Sequence, residues 1–357
     1  MAARATMATV AEIAGVSVPT VSKVLAGKPD ISEDTRIRVA DAVRATGYLV
    51  RGGRRRVAGG MIDILVDGVA SAVAGEIVGG AERAAFEMDL TLTVTSTSHP
   101  RFRIQDWVEH RRARPTVGVV LVLFGVRQRE IRALRELSAP LVLVDPVGAH
   151  EPGLPAVGAT NWAGGLAATR HLFGLGHRRI GFVGGPVGLP CVRERQEGYL
   201  AAHREAGIAP DPRLVRSAEL TVAEGARHGG SLLDADDPPT AIFACSDAQA
   251  AGVYQAAGVR NLRIPRDLSV VGFDDTPICG MLAPPLTTVR QPLADMAAEA
   301  VRLVAEEHRY RGAAAGRQVE LATSLVVRAS TGGRRSAAAR SRTAAGSRGA
   351  AAGRASR

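Results

Sequence analysis

The spacing of apolar positions changes twice along the chain. From residue 9 to 47 they recur at three- and four-residue intervals in short stretches, which predicts three helices. Thr9-Val-Ala-Glu12 fits a capping box, with Thr9 as N-cap, and Gly15 permits the turn that follows. Ser17 can cap a second helix over Val18–Leu25, with Pro19 tolerated in its first turn. Ser32 can cap a third, in which Ile37, Ala40 and Val43 supply the inward stripe and Gly47 the stop. Residues 49–60 (LVRGGRRRVAGG) carry no stripe and read as a Gly/Arg linker.

From Met61 the rhythm becomes that of buried strands. Apolar runs at 61–66, 90–95, 117–124, 141–144, 180–183, 241–244 and 268–273 alternate with helical patterns at 74–88, 162–173, 193–206 and 248–257. Such alternation predicts parallel sheets covered on both faces. A body of about 270 residues exceeds one open sheet, so two α/β lobes are expected. From Arg334 the chain is Ala/Gly/Ser/Arg of low complexity and is expected to be disordered. The organisation expected is a head over 1–48, a linker over 49–60, a two-lobed body over 61–333 and a tail over 334–357.

Charge separates these parts. The 357 residues carry a formal net charge of +10, and of the 45 basic side chains only Lys23 and Lys28 are lysines. Residues 1–60 hold ten basic and five acidic groups, residues 334–357 seven arginines and no acid, and the body 28 basic and 30 acidic. A near-neutral body with two basic ends points to polyanion contact at the ends. Cys191, Cys245 and Cys279 stand at no metal-ligand spacing and read as reduced thiols, so neither a metal nor a cofactor is expected. No apolar run reaches a membrane span and no apolar signal region opens the chain, so a cytoplasmic protein is expected.

Helix, Gly turn and capped second helix form the helix-turn-helix pattern, whose second helix enters the major groove of DNA. Its outward residues would be Val18, Pro19, Ser22 and Lys23. Lys23 can donate to a guanine edge or a phosphate, Thr20 and Ser22 suit phosphate oxygens, and Val18 and Pro19 offer apolar contact. From spacing alone, a small helical cap on the body remains an equal alternative.

TVAEIAGVSVPTVSKVLAG from Thr9, then ISEDTRIRV and ATGY ending at Tyr48, is similar to the head of the LacI-type (lactose/galactose repressor) transcriptional regulators. The resemblance continues through VGATNWAGG, GHRRIGFVGGP, VRERQEGY, PTAIFACSDAQAAGVY, RIPRDLSVVGFDD and PPLTTVRQPL, and so covers roughly residues 9–330. It implies a homodimeric repressor with a periplasmic-binding-protein-like body. Two heads would bind double-stranded, pseudo-palindromic operator DNA, and a small effector, usually a sugar, would bind between the two lobes. By match, Thr9, Ser17, Thr20 and Ser22 would sit on phosphates, and Val18, Pro19 and Lys23 would face bases.

The linker departs from the family, whose members usually carry Asn-x-x-Ala-x-x-Leu there, a hinge helix with a Leu wedge. This chain has Arg51-Gly-Gly-Arg-Arg-Arg56, and two glycines each cost a helix about 1 kcal/mol. Arg54, Arg55 and Arg56 are expected instead to enter the minor groove as an extended arm, against the alternative of a solvated basic spacer.

In open parallel sheets ligands bind beyond the carboxyl ends of strands, where Asp145, Asp247 and Asp274 stand. Carboxylates accept from paired sugar hydroxyls and arginine donates as a fork. The resemblance implies effector contacts at Asp145, Arg195, Asp274 and Gln291, with Asn161 and Ser246 facing the cleft and Ser71 covering the ligand from the other lobe. Asp247 reads instead as the cap of helix 248–257, and Trp162 and Phe124 as core. Leu220 stands where family members often carry an aromatic, which argues against a stacked purine.

No Gly-x-Ser-x-Gly elbow, P-loop or His-Glu-x-x-His is present, so no catalytic residues are assigned. Asp145 with Asp274 as a glycosidase pair is the enzyme alternative. A sugar-binding protein without a DNA role is the rival from another class, opposed by the head and by the lack of a signal region. The effector's sign, inducer or co-repressor, stays open.

Overall fold

The computed structural model describes residues 6–25, 31–46, 60–122, 128–146 and 153–334. Arg54, Arg55, Arg56, Gly47 and Phe124 lie outside them, as does the tail beyond Arg334. The chain divides into two units, 1–159 with 292–321, and 160–291 with 322–357.

The head is three helices, α1 (Met7–Ala14), α2 (Val18–Leu25) and α3 (Glu33–Thr46). The cap of α1 is Thr6 rather than Thr9. The Thr6 hydroxyl accepts from the Thr9 amide, and Thr9, at the third helical position, answers it, so the box forms one turn earlier than the Thr9/Glu12 reading. Gly15 closes α1 in the left-handed region at φ 63°. Ser17 caps α2 through the Thr20 amide at 3.2 Å, and Ser32 caps α3 through the Thr35 amide at 3.4 Å. The inward stripe of α3 is Val39, Ala42 and Val43, packed with Val10, Ala11, Ala14, Val21 and Val24. Ile37 is 51% exposed, because the buried face is turned about one position from the expected Ile37/Ala40/Val43 stripe.

The first unit continues through β1 (Met61–Val66), α4 (Ala72–Glu87), β2 (Thr91–Ser96), α5 (Ile104–Arg112), β3 (Gly118–Val122), α6 (Gln128–Arg135), β4 (Leu141–Val144) and β5 (Ala156–Ala159). The second unit runs α7 (Asn161–Gly174), β6 (Ile180–Gly184), α8 (Pro190–Glu205), β7 (Val215–Ser217), α9 (Val222–Leu233), β8 (Ala241–Ala244), α10 (Asp247–Val259), β9 (Ser269–Asp274), α11 (Ile278–Met281) and β10 (Thr287–Arg290). The chain then returns to the first unit for α12 (Leu293–Arg309) and β11 (Gln318–Leu321), and ends in the second with β12 (Ser324–Val326).

The first sheet has the order β11-β5-β4-β3-β1-β2, parallel throughout. The second has the order β12-β10-β9-β8-β6-β7, parallel except at β12. β3, β4, β8 and β9 are buried along their whole length, as strands covered by helices on both faces must be. One charge interrupts the 61–66 run. Asp63 is fully buried in β1 and takes the Arg111 guanidinium from the end of α5, while its Oδ2 has no hydrogen-bond partner among the described residues. Burial pushes this carboxyl above its ordinary range.

Two histidines of the second unit tie stability to pH. His203 on α8 is buried between Phe173 and Tyr199, donates from Nδ1 to the Tyr199 carbonyl at 3.0 Å, and burial lowers its pKa. Burial also lowers that of His171, whose Nε2 lies 2.9 Å from the Thr331 hydroxyl. A base with a depressed folded pKa contributes fully above its unfolded value, about 6.5, and loses that contribution as pH falls through it. Thermal unfolding followed from pH 7.5 to 5.5 is therefore expected to show falling stability, and His171→Gln with His203→Gln is expected to flatten the fall.

Candidate functional site

The head presents one face built for contact. Helices α1 and α2 meet at 101°, within the range of helix-turn-helix pairs. α2 buries Val21 and Val24 and leaves Ser17, Val18, Pro19, Ser22 and Lys23 exposed. Thr9 and Thr20 are half-buried, and their hydroxyls lie 3.0 Å from Thr6 and 2.8 Å from Ser17. Both hydroxyls sit at helix starts, where backbone N–H groups also face outward and favour anions.

The second unit gathers four of the expected effector residues around one guanidinium. Asn161 opens α7, Arg195 lies in α8, Asp274 ends β9 and Gln291 follows β10, and each is no more than 6% exposed. Arg195 Nε donates to Asn161 Oδ1 at 2.9 Å, and Nη1 donates to the Cys245 carbonyl at 2.6 Å and faces Asp274 Oδ1 at 3.3 Å. Its Cζ stands 3.8 Å from the Phe273 ring centroid, a cation–π contact in a dry setting. Gln291 Nε2 donates to the same Asp274 oxygen at 2.7 Å, which turns Gln291 Oε1 the other way, buried and without a donor among the described residues. The formal charges of Arg195 and Asp274 offset each other, and burial holds the neighbouring Cys245 thiol protonated, its pKa pushed up to about 12. Chemically the cluster combines guanidinium and amide donors with carboxylate and amide acceptors, its formal charges balanced.

Helix crossings set these positions. A Cβ on Gly165 of α7 would stand 2.2 Å from the Arg195 carbonyl oxygen, and one on Gly198 of α8 2.2 Å from that of Trp162. Only glycine at both places lets α7 and α8 approach closely enough for Asn161 to reach Arg195.

Strain marks the same strand ends. Six described non-glycine residues have positive φ. Asp89, Ser138 and Asn261 follow helices, where that conformation is common. The other three are aspartates at strand ends, Asp145 (φ 44°) after β4, and Asp274 (φ 114°) with Asp275 (φ 60°) at β9. Such outliers persist only where the surroundings over-determine them, and they cluster at functional sites.

The remaining expected residues are divided between the two units. Ser246 caps α10 through the Gln249 amide at 3.2 Å. Asp145 is buried at the end of β4 in the first unit, and Ser71, also there, is exposed and caps α4 through Ala74 at 3.1 Å. Asp247 is not the cap of α10. It lies inside the helix, where its carboxylate accepts from the Thr276 amide and hydroxyl and from the Thr288 hydroxyl. Trp162, read from sequence as core, is 46% exposed beside Asn161 at the start of α7. Leu220 packs half-buried against the second unit's core. Phe273 and the Cys245 carbonyl were not expected at the site. A buried aromatic in a strand reads as core, and a backbone carbonyl leaves no mark in sequence.

Residues 6–50 match the family model of bacterial regulatory proteins, lacI family, and residues 169–331 that of the periplasmic binding protein-like domain. The HTH-type transcriptional regulator DegA of Bacillus subtilis is 30% identical over 92% of this chain and 98% of its own. The HTH-type transcriptional repressor CytR of Escherichia coli is 31% identical over 92% and 96%. Among solved structures, a complex of the transcriptional regulator CelR with cellobiose superposes with a TM-score of 0.70 at 29% identity, over 92% of this chain and 100% of that one. With the helix-turn-helix head and the two α/β sheets in place, the chain belongs to the LacI family of DNA-binding transcriptional regulators.

Proposed function

We propose that the protein represses transcription as a homodimer bound to a pseudo-palindromic operator, and that a small uncharged sugar held by Asn161, Arg195, Asp274 and Gln291 releases it. The observation that carries the sugar reading is the buried Gln291 Oε1, an acceptor with no donor among the described residues, beside an ion pair whose formal charges balance. A ligand hydroxyl supplies that donor, which an ionised phosphate or carboxylate lacks. The cellobiose complex of CelR supports a sugar, and the aliphatic Leu220 offers a purine no stacking face.

Val18, Pro19 and Lys23 are the proposed base contacts, and Thr9, Ser17, Thr20 and Ser22 the phosphate contacts. The arginines 54–56 are proposed as an arm in the minor groove. Selection of bound duplexes from a random pool supplies the operator. On it Lys23→Ala is expected to cost about 1–3 kcal/mol. Replacing all three arginines by alanine is expected to shallow the salt slope by ~0.9 for each phosphate they neutralise. A pool that yields no consensus overturns the operator reading.

A thermal-shift screen of mono- and oligosaccharides tests the effector, since a ligand of the folded state raises Tm. Linkage requires that the sugar and the operator weaken each other by the same factor. A sugar that tightens operator binding makes the ligand a co-repressor instead.

A further inference from the structure

We propose that Arg328 is a positioning residue for the Asp274 carboxylate, acting through Asp275; the inference rests on reading the Asp274 cluster as the effector site. Asp274 and Asp275 are consecutive non-glycine residues at positive φ, a conformation that relaxes unless it is held. The grip is on Asp275. Its side chain is 5% exposed, and its two oxygens take different arginines: Arg328 Nη2 reaches Oδ1 at 2.6 Å and Arg290 Nε reaches Oδ2 at 2.6 Å.

Arg328 is itself fixed. Its Nη1 donates to the Leu286 carbonyl at 2.8 Å and its backbone amide to the Thr287 hydroxyl at 2.9 Å, at the start of β10. The guanidinium thus bridges the β10 backbone and the turn that leaves β9. Arg290, the other grip, is 57% exposed and adjoins Gln291, so its bond to Asp275 ties the turn to the residue carrying the orphan acceptor. On the far side, the Thr276 amide is held by Asp247 at 2.7 Å. With 275 and 276 both anchored, the backbone at Asp274 is held where its carboxylate meets Arg195 and Gln291.

Two arginines hold the one carboxylate of Asp275. Of the two, Arg328 carries the positioning, being less exposed (25%) and bound to backbone as well as to Asp275.

The side-chain amide of Gln291 reports the position of Asp274 directly, because its Nε2 donates to that carboxylate. Its nitrogen and proton resonances in the full-length protein are assigned by their loss in Gln291→Leu. In Arg328→Met they are expected to move toward those of a solvent-exposed glutamine amide, and in Asp275→Asn in the same direction. Arg328→Lys, which keeps a charged donor, is expected to stay near wild type. A Gln291 amide that does not move in Arg328→Met or Asp275→Asn overturns the proposal, as does Arg328→Lys behaving like the methionine variant.

Sugar binding separates this inference from the one beneath it. For a sugar that raises the Tm of the wild-type protein, Arg328→Met is expected to weaken binding at least tenfold while operator affinity without sugar stays within about twofold. If the Gln291 amide moves but no sugar in the screen distinguishes Asp274→Asn from wild type, the positioning stands and the effector reading falls.

Discussion

Arg195→Met is expected to lower the stability of the protein by about 3–5 kcal/mol, the cost of removing one partner from a buried ion pair. The change leaves Asp274, 6% exposed, without its guanidinium and strips donors from Asn161 Oδ1 and the Cys245 carbonyl. Methionine fills similar volume over the Phe273 ring, so the loss is electrostatic and not a cavity. For a unit of this size the Tm should fall by roughly 10 °C. The double variant Arg195→Met/Asp274→Asn should recover part of that, because a neutral amide tolerates the apolar neighbour that a carboxylate does not. Urea unfolding of the three proteins measures both quantities. An Arg195→Met protein within ~1 kcal/mol of wild type would mean the pair is hydrated and contributes little.

Two glycines on one helix should respond to alanine with opposite signs. A Cβ at Gly165 stands 2.2 Å from the Arg195 carbonyl oxygen, so Gly165→Ala must push α7 away from α8, at about 3 kcal/mol or more. The same separation stretches the 2.9 Å bond from Arg195 to Asn161, so binding of the proposed effector should weaken along with stability. Gly174, at the other end of α7, has nothing within 4 Å of its would-be Cβ. There alanine should stabilise by up to about 0.5–1 kcal/mol through the entropy of the unfolded chain. Urea midpoints of the two variants decide it, and a Gly165→Ala protein as stable as wild type would show that the helices do not cross so closely.

The strands with dense β-branched and aliphatic runs, such as 141–144 and 61–66, the latter broken only by Asp63, were legible in sequence to the residue. β5 (AVGA) and β10 (TTVR) were not, because small or hydroxyl side chains in runs of four give neither an apolar block nor a clear alternation. The capping box of α1 slipped by one turn because Thr6 and Thr9 both qualify as caps, and only the backbone decides between them.

At the site, the strand-end position of Asp274 followed from the apolar run before it. That Arg195, 79 residues earlier in the chain, meets it followed only from the family resemblance, since no local signal links residues so distant. Arg328 gave no signal at all. An arginine near the end of the described chain looks like any other in a sequence with 45 basic residues.

The three passages of the chain between its units have a consequence for synthesis. The first unit starts its sheet at Met61 but draws α12 and β11 from residues 293–321. Until those emerge from the ribosome, the face of β1, β3 and β4 carrying Ile62, Val120 and Val142 lacks Met296, Val301 and Val304, which cover it in the finished core. At ordinary translation speeds that interval is on the order of ten seconds, longer than most domains need to fold. The second unit can be largely complete while the first still waits, so the part of the nascent protein most exposed to chaperones and to aggregation is the one made earliest.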